Sequence, residues 1–188
     1  EVAARHGGGL WAAVADVSGH GISAALLMAS ARTALKALVA ADLTPAEAAA
    51  SLNALVTTDV GDTGMFLTAA LLRVDGDGAA RLVSMGHPEA FVRRAGGTLE
   101  RLGAGGAPAG IVDDETYPED RFTLGPGDAV LLFTDGLSEA NDGAADFGED
   151  GIAGVLSAEG GQPAATVTEA LFTAVYDHLK GRSVNDKV

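Results

Sequence analysis

The chain has 188 residues, enough to bury a sizeable core without covalent crosslinks, so its length predicts one domain over residues 1–188. It contains no cysteine, which excludes disulfides, thiolate metal sites and thiol catalysis, and favours a cytoplasmic protein. The formal net charge is −14, with 12 Lys and Arg against 26 Asp and Glu, which argues against nucleic acid as a partner. Arg32 and Lys36 interrupt the longest apolar stretch, so we expect neither a membrane span nor a membrane partner.

The first predicted element is an apolar strand over residues 10–15, which leads directly into Asp16. Gly19 and Gly21 follow and permit a tight reversal of the backbone. Apolar residues at helical spacing then predict a helix over residues 22–40. An Asp before a helix commonly caps it, so capping is the alternative to a metal-binding role for Asp16.

The next elements are a second helix and a series of strands. The motif Thr44-Pro-Ala-Glu47 predicts a capping box, with a helix running to about Thr57. From residue 65 the pattern changes to hairpins. Strands are predicted over residues 65–74, 80–85, 90–94, 98–102, 119–124 and 129–133, and helices over 149–157 and 163–180. The fold class is therefore α+β, with packed antiparallel sheets and outer helices.

A second acidic residue follows a core strand near the end of this series. The turn Gly125-Pro-Gly-Asp128 leads into the strand at residues 129–133, which we expect to be buried and which ends in Thr134-Asp135-Gly136. Asp16 and Asp135 each lie at the carboxyl end of an apolar strand, beside glycines. Such carboxylates are hard oxygen ligands, and together they predict a site for Mg²⁺ or Mn²⁺.

Five motifs resemble, in order and approximate spacing, those of one family. They are Val14-Ala-Asp-Val-Ser-Gly-His-Gly21, Met65-Phe-Leu-Thr68, Gly86-His-Pro88, Gly106-Ala-Pro-Ala-Gly110 and Leu124-Gly-Pro-Gly-Asp-Ala-Val-Leu-Leu-Phe-Thr-Asp-Gly-Leu-Ser-Glu-Ala140. The family is the SpoIIE-like branch of the PPM metal-dependent serine/threonine protein phosphatases, and the resemblance covers nearly the whole chain. It implies an αββα sandwich of two antiparallel sheets flanked by helices.

The resemblance also implies a binuclear centre with two Mn²⁺ or Mg²⁺ ions. Asp16 would bridge both ions, Val17 would offer its backbone carbonyl, Asp135 would bind one ion, and Asp186 would supply a ligand from the closing motif. Asp16 and Asp135 are thus the expected catalytic residues. The implied reaction is attack of metal-activated water on phosphorus, without a covalent enzyme intermediate. His20 and His87 are expected to support the site structurally rather than to transfer protons.

Two segments depart from the family pattern. Before the first motif the family carries a leading acid that contributes to the metal cluster, whereas Arg5-His-Gly-Gly-Gly-Leu10 has none. Either one ligand is lacking or a loop is absent from this sequence, and we favour the second. The family's closing Asn-Asp-Asp is Asn185-Asp-Lys187 here. We prefer Asp186 as the ligand because Val188 then falls at a hydrophobic position, and Asn185 is the alternative.

The resemblance implies a phosphatase acting on phosphoserine or phosphothreonine of a bacterial regulatory protein, of the anti-anti-sigma type. The alternative is a catalytically degenerate domain that binds a partner or senses a signal. A hydrolase of small phosphate esters is a third possibility, because the same two-metal chemistry permits it. The chain is expected to be part of a longer regulatory protein with further domains, and a homodimer stays open.

Overall fold

The computed structural model describes residues 2–4 and 9–180. They form two compact units, which are treated separately below. The first contains the described residues up to Ala90 together with Leu102–Leu124, and the second contains Phe91–Arg101 and the described residues from Gly125 onward.

The predicted strands and helices occur in the predicted order, and the structure adds a strand at Val2–Ala4 and a short helix at Asp135–Ser138 that were not predicted. The strands are β1 (Val2–Ala4), β2 (Leu10–Val17), β3 (Leu67–Val74), β4 (Ala79–Met85), β5 (Ala90–Arg93), β6 (Leu99–Leu102), β7 (Asp120–Thr123) and β8 (Ala129–Leu131). The helices are α1 (Ile22–Ala40), α2 (Pro45–Val60), α3 (Asp135–Ser138), α4 (Gly148–Glu159) and α5 (Ala164–Lys180). The predicted α+β class, with antiparallel sheets and flanking helices, is confirmed.

The first unit contains a five-stranded antiparallel sheet in the order β1-β2-β3-β4-β7. Side chains alternate between the two faces of a sheet, and one face carries the core with α1 and α2. Buried residues on that face include Trp11 and Val17 of β2, Leu67 and Leu71 of β3, and Val83 of β4. Asp16, one position from Val17, therefore faces the opposite side of the sheet.

Helix α2 begins with the capping box that the sequence predicts. The side chain of Thr44 accepts a hydrogen bond from the Glu47 N–H at 3.3 Å, and Glu47 Oε2 accepts one from the Thr44 N–H at 2.8 Å. These two bonds satisfy backbone donors that an uncapped helix would leave open. The helix ends at Val60, three residues beyond the predicted Thr57.

Helix α1 corrects one expectation from the sequence. Judged by length and composition alone, this helix of 19 residues is long and apolar enough to cross a membrane. Arg32 and Lys36 therefore do not exclude a segment of that kind, as the sequence analysis assumed. One such helix is weak evidence for a span, because a helix that packs into a protein core passes the same test. In this protein 17% of the apolar stretch of α1 is buried, and its buried residues, Leu27 and Ala31, belong to the first unit's core.

The second unit contains a three-stranded sheet in the order β6-β5-β8, in which β5 and β8 are antiparallel. Its core includes Phe91, Phe133, Ile152, Leu156 and Leu171. The rings of Phe91 and Phe133 stack with their centroids 6.0 Å apart. Strand β8 is shorter and less buried than predicted: it ends at Leu131, and Ala129 is exposed. The reason is its position at the edge of the small sheet, where one side has no neighbouring strand among the described residues.

Candidate metal centre

Asp16 lies at the penultimate position of β2, directly opposite Thr68 of β3. Its side chain is exposed, and its carboxylate makes no hydrogen bond or ion pair with the described residues. It does not cap α1, because Gly21 is the N-cap residue and the Asp16 carboxylate bonds to no backbone N–H of the helix. The capping alternative is thereby excluded, and the carboxylate is available to a ligand.

Val17 contributes a backbone carbonyl beside Asp16. Hydrogen bonds alternate along an antiparallel pair, so every second residue directs its N–H and C=O away from the partner strand. Leu67 is the residue opposite Val17. Its backbone N–H donates to Ala109 O at 3.0 Å and its carbonyl accepts from the Ala109 N–H at 2.8 Å, so neither group bonds to β2. The Val17 carbonyl therefore points away from β3. On that side β1 pairs only with residues 10–12 of β2, so no described strand covers this carbonyl.

A glycine-rich turn connects this strand end to α1. It is fixed to the neighbouring chain by Ser18, whose N–H donates to Phe66 O at 2.9 Å and whose Oγ accepts from the Phe66 N–H at 2.8 Å. Gly19 and Gly21 both have φ of +86°, a conformation that favours glycine, and a Cβ at either would meet no atom within 4 Å. The turn is therefore open beside Asp16. His20 is exposed within it.

His87 reaches the same end of the sheet through Thr68. Its Nδ1 lies 2.9 Å from Thr68 Oγ1, and its side chain is buried. The turn that carries it is closed by Ser84, whose Oγ accepts from the His87 N–H and donates to the His87 carbonyl, each at 3.0 Å. Gly86 within this turn has φ of +66°, and a Cβ there would lie 2.7 Å from two ring carbons of Pro108.

Residues 103–112 belong to the loop that connects β6 to β7. Asn53 of α2, which is 2% exposed, holds the loop by donating to Val112 O at 2.8 Å and accepting from the Gly110 N–H at 3.0 Å. The role of Asn53 was not predicted, because a single polar residue in an amphipathic helix gives no indication of its partner.

Asp135 belongs to the second unit and is the first residue of α3. Its backbone carbonyl accepts from the Glu139 N–H at 2.7 Å and from Ser138 Oγ at 3.1 Å. Its side chain is exposed and has no partner among the residues described. As predicted, a carboxylate follows the strand β8, although Asp135 comes four residues after the strand ends.

Asp128, the other acid of this region, has a structural role instead. Its carboxylate accepts from the Gly125 and Ala95 N–H groups and from Arg94, at 3.1, 2.8 and 3.0 Å. The two backbone bonds and the Arg94 guanidinium hold the pKa of Asp128 below its ordinary value. This carboxylate is fully engaged in closing a turn and is not a candidate ligand.

The donors at these positions fit hard divalent cations in type. Asp16 and Asp135 offer exposed carboxylates, and Val17 offers a carbonyl oxygen. Carboxylate and carbonyl oxygens are the ligands that Mg²⁺ and Mn²⁺ prefer. Residues 9–180 contain no group of three or more His, Asp or Glu side chains that could hold an ion on its own. Asp186 and Asn185, the alternatives for the last ligand, lie outside the described residues, as does the segment 5–8.

Comparison with known proteins agrees with the motifs. The family described as Stage II sporulation protein E (SpoIIE) matches residues 6–187. Phosphoserine phosphatase RsbU of Bacillus subtilis (strain 168) is 33% identical over 129 residues, which are 68% of this chain and 38% of that protein. The chain thus spans well under half of the length of this relative.

Solved structures show the same fold. The RsbU and RsbW domains of Rv1364c from Mycobacterium tuberculosis match with a TM-score of 0.80 and 26% identity, over 93% of this chain and 50% of that one. The PP2C phosphatase domain of SpoIIE from Bacillus subtilis was solved with a fragment of its regulatory domain. It matches with a TM-score of 0.77 and 17% identity, over 95% of this chain and 53% of that one. The chain therefore belongs to the SpoIIE family of PP2C-type protein phosphatases.

Proposed function

We propose that this chain is an active metal-dependent phosphatase that hydrolyses phosphoserine or phosphothreonine on a bacterial regulatory protein of the anti-anti-sigma type. The observation that carries the proposal is the end of β2, where the exposed Asp16 carboxylate lies beside a Val17 carbonyl directed away from β3. A relative that is named a phosphoserine phosphatase supports the choice of substrate.

The proposed ligands are Asp16, shared by two ions, the Val17 carbonyl, Asp135 and Asp186. Two Mn²⁺ or Mg²⁺ ions held there would activate water, orient the phosphate and offset charge at phosphorus. Asp16 is suited to a shared position because its strand is paired along its whole length with β3, which fixes the backbone that presents the exposed carboxylate. The open turn at Gly19 and Gly21 leaves room for water and for the phosphate group of a protein substrate.

We also propose a cytoplasmic setting and accompanying regulatory domains, which the composition and the relatives support. The absence of cysteine favours the cytoplasm. RsbU is much longer than the matched region, and we propose that this chain likewise works beside regulatory domains.

The experiment that tests the proposal is phosphate release from a phosphoserine peptide and from p-nitrophenyl phosphate, with Mn²⁺, with Mg²⁺ and with EDTA. We expect the phosphoserine peptide to be hydrolysed with metal and not with EDTA. Asp16→Asn and Asp135→Asn should each lower kcat/KM by at least about 100-fold, since metal ions in such a site supply several kcal/mol of transition-state stabilisation. Their metal-free thermal stability should stay that of the wild type, because neither carboxylate bonds to the described protein.

Asp113→Asn is the matched control, since Asp113 is an exposed acid in the loop after residue 110. It should leave activity unchanged.

A second pair of variants tests the last ligand. Asp186→Asn should lower activity strongly and Asn185→Ala should leave it nearly unchanged, and the reverse result would place the last ligand at Asn185.

The other functions have their own signatures in the same assay. A folded protein that is inactive with every metal would indicate the degenerate binding or sensing module. Hydrolysis of p-nitrophenyl phosphate without hydrolysis of phosphopeptides would indicate an enzyme for small phosphate esters. Full activity in Asp16→Asn would refute the assignment of the metal centre.

A further inference from the structure

The strongest feature outside the proposed ligands is the contact between Thr68 and His87. Thr68 lies directly opposite Asp16 in the β2–β3 pair. Directly opposite residues of an antiparallel pair share one face of the sheet, with Cβ atoms about 4.5–5.5 Å apart. The sheet register thus places the Thr68 side chain directly across from Asp16, on the same face of the sheet.

The Thr68 hydroxyl is held in place from behind. Thr68 Oγ1 lies 2.9 Å from Nδ1 of His87, whose side chain is 6% exposed. His87 is itself fixed by two bonds between its backbone and Ser84 Oγ, both 3.0 Å long, and Ser84 is 5% exposed. A buried imidazole on a closed turn has little freedom to move, so the hydroxyl that it contacts keeps one orientation.

The contact leaves bonding capacity on the hydroxyl. A threonine hydroxyl has one donor and two acceptor positions, and His87 takes one of these, whichever tautomer it adopts. Thr68 is half-buried, whereas His87 is buried, and among the described residues only His87 bonds to Thr68 Oγ1. The remaining positions of the hydroxyl can bond to the Asp16 carboxylate or to an oxygen atom held next to it.

We propose that Thr68 and His87 are positioning residues for Asp16: His87 orients the Thr68 hydroxyl, which in turn orients the carboxylate and the oxygen atoms bound at it. This inference rests on the proposed function, because it takes Asp16 as a metal ligand. Groups that orient a metal ligand from outside the coordination shell typically contribute about 10–100-fold in metal affinity or activity.

The test is Mn²⁺ binding measured by calorimetry on folded, metal-free protein, together with kcat and KM for the phosphopeptide. Thr68→Val keeps the shape of the side chain and removes the hydroxyl, and it should weaken Mn²⁺ binding about 10–100-fold. Thr68→Ser keeps the hydroxyl and should bind Mn²⁺ like the wild type. Thr123→Val is the control, because it makes the same change in β7, opposite Ala79 and away from β2.

The pair should behave as one unit. His87→Phe should weaken Mn²⁺ binding in the same direction as Thr68→Val, and the double variant should be no weaker than the more damaging single variant, because residues acting through each other are not additive. Thr68→Val and His87→Phe should lower kcat with little change in KM for the peptide.

Three results would overturn the inference. Thr68→Val could bind Mn²⁺ like the wild type while losing only thermal stability of the metal-free protein, which would show a purely structural contact. Thr68→Ser could fail to restore binding, or the two single variants could be fully additive. If the wild type is active and these variants bind Mn²⁺ normally, only the inference fails, whereas a wild type that binds no metal refutes the proposed function as well.

Discussion

Replacing Gly86 by alanine tests how tightly the turn that carries His87 is built. The residue has φ of +66°, and a Cβ there would lie 2.7 Å from Cγ and Cδ of Pro108 and 3.0 Å from its backbone nitrogen. A left-handed backbone costs alanine about 1–2 kcal/mol. Overpacking against a rigid proline ring adds about 1–3 kcal/mol. We therefore expect Gly86→Ala to lower the free energy of unfolding by about 2–5 kcal/mol.

The matched control is Gly64→Ala in the same unit. Gly64 has φ of +72°, but a Cβ there would meet no atom within 4 Å. This variant should lose only the backbone contribution of about 1–2 kcal/mol, and the effect of alanine on the unfolded chain is common to both variants. Urea unfolding of the metal-free proteins measures the difference. Equal destabilisation of the two variants would show that Pro108 does not restrict the turn, and the reasoning would be wrong.

Two further substitutions test buried polar groups of the first unit. Asn53→Ala should lower the free energy of unfolding by about 2–4 kcal/mol, because it leaves the Val112 carbonyl and the Gly110 N–H without their partner. Urea unfolding measures this loss, and a loss below about 1 kcal/mol would contradict the assignment of the two bonds. Tyr117→Phe should leave stability unchanged or raise it by up to about 1 kcal/mol, since the buried Tyr117 hydroxyl has no hydrogen-bond partner among the described residues. Burial, with the charge of Glu115, raises the pKa of Tyr117 to about 12. The folded wild type therefore keeps the proton of the Tyr117 hydroxyl to higher pH than the unfolded chain, and its stability should fall between about pH 10 and 12. Thermal unfolding across that range should show this loss of stability in the wild type and a smaller loss in Tyr117→Phe.

Much of the fold could be predicted because local signals and tertiary packing agree. The predicted helix at residues 22–40 has the observed bounds of α1, and the capping box at Thr44 sets the start of α2 within one residue. Four strands of the large sheet differ from prediction by one or two residues at their ends, whereas β1 was not predicted. Strand β8 was overestimated because its apolar residues indicate a core strand, whereas a sheet edge exposes one side.

The candidate site could be predicted only in part. The chemistry of Asp16 and Asp135 is visible in the sequence, because each acid follows an apolar strand beside glycines. The contact between Thr68 and His87 depends on the pairing of β3 with β4 and on the turn after β4. Its place beside Asp16 depends on the pairing of β2 with β3. Local spacing reports none of these. The direction of the Val17 carbonyl likewise follows from which pairs of the ladder exchange hydrogen bonds, and a sequence does not specify this phase.

The alternation of Asp16 and Val17 across β2 has a consequence for folding. A slip of β2 by one residue along β3 would exchange the two faces of the strand. It would put the Asp16 carboxylate into the apolar layer beneath α1 and α2, and the side chain of Val17 into water. Burying an unpaired charge is far more costly than exposing a valine, so the carboxylate that we propose as a ligand also disfavours misaligned pairing of the strand that presents it.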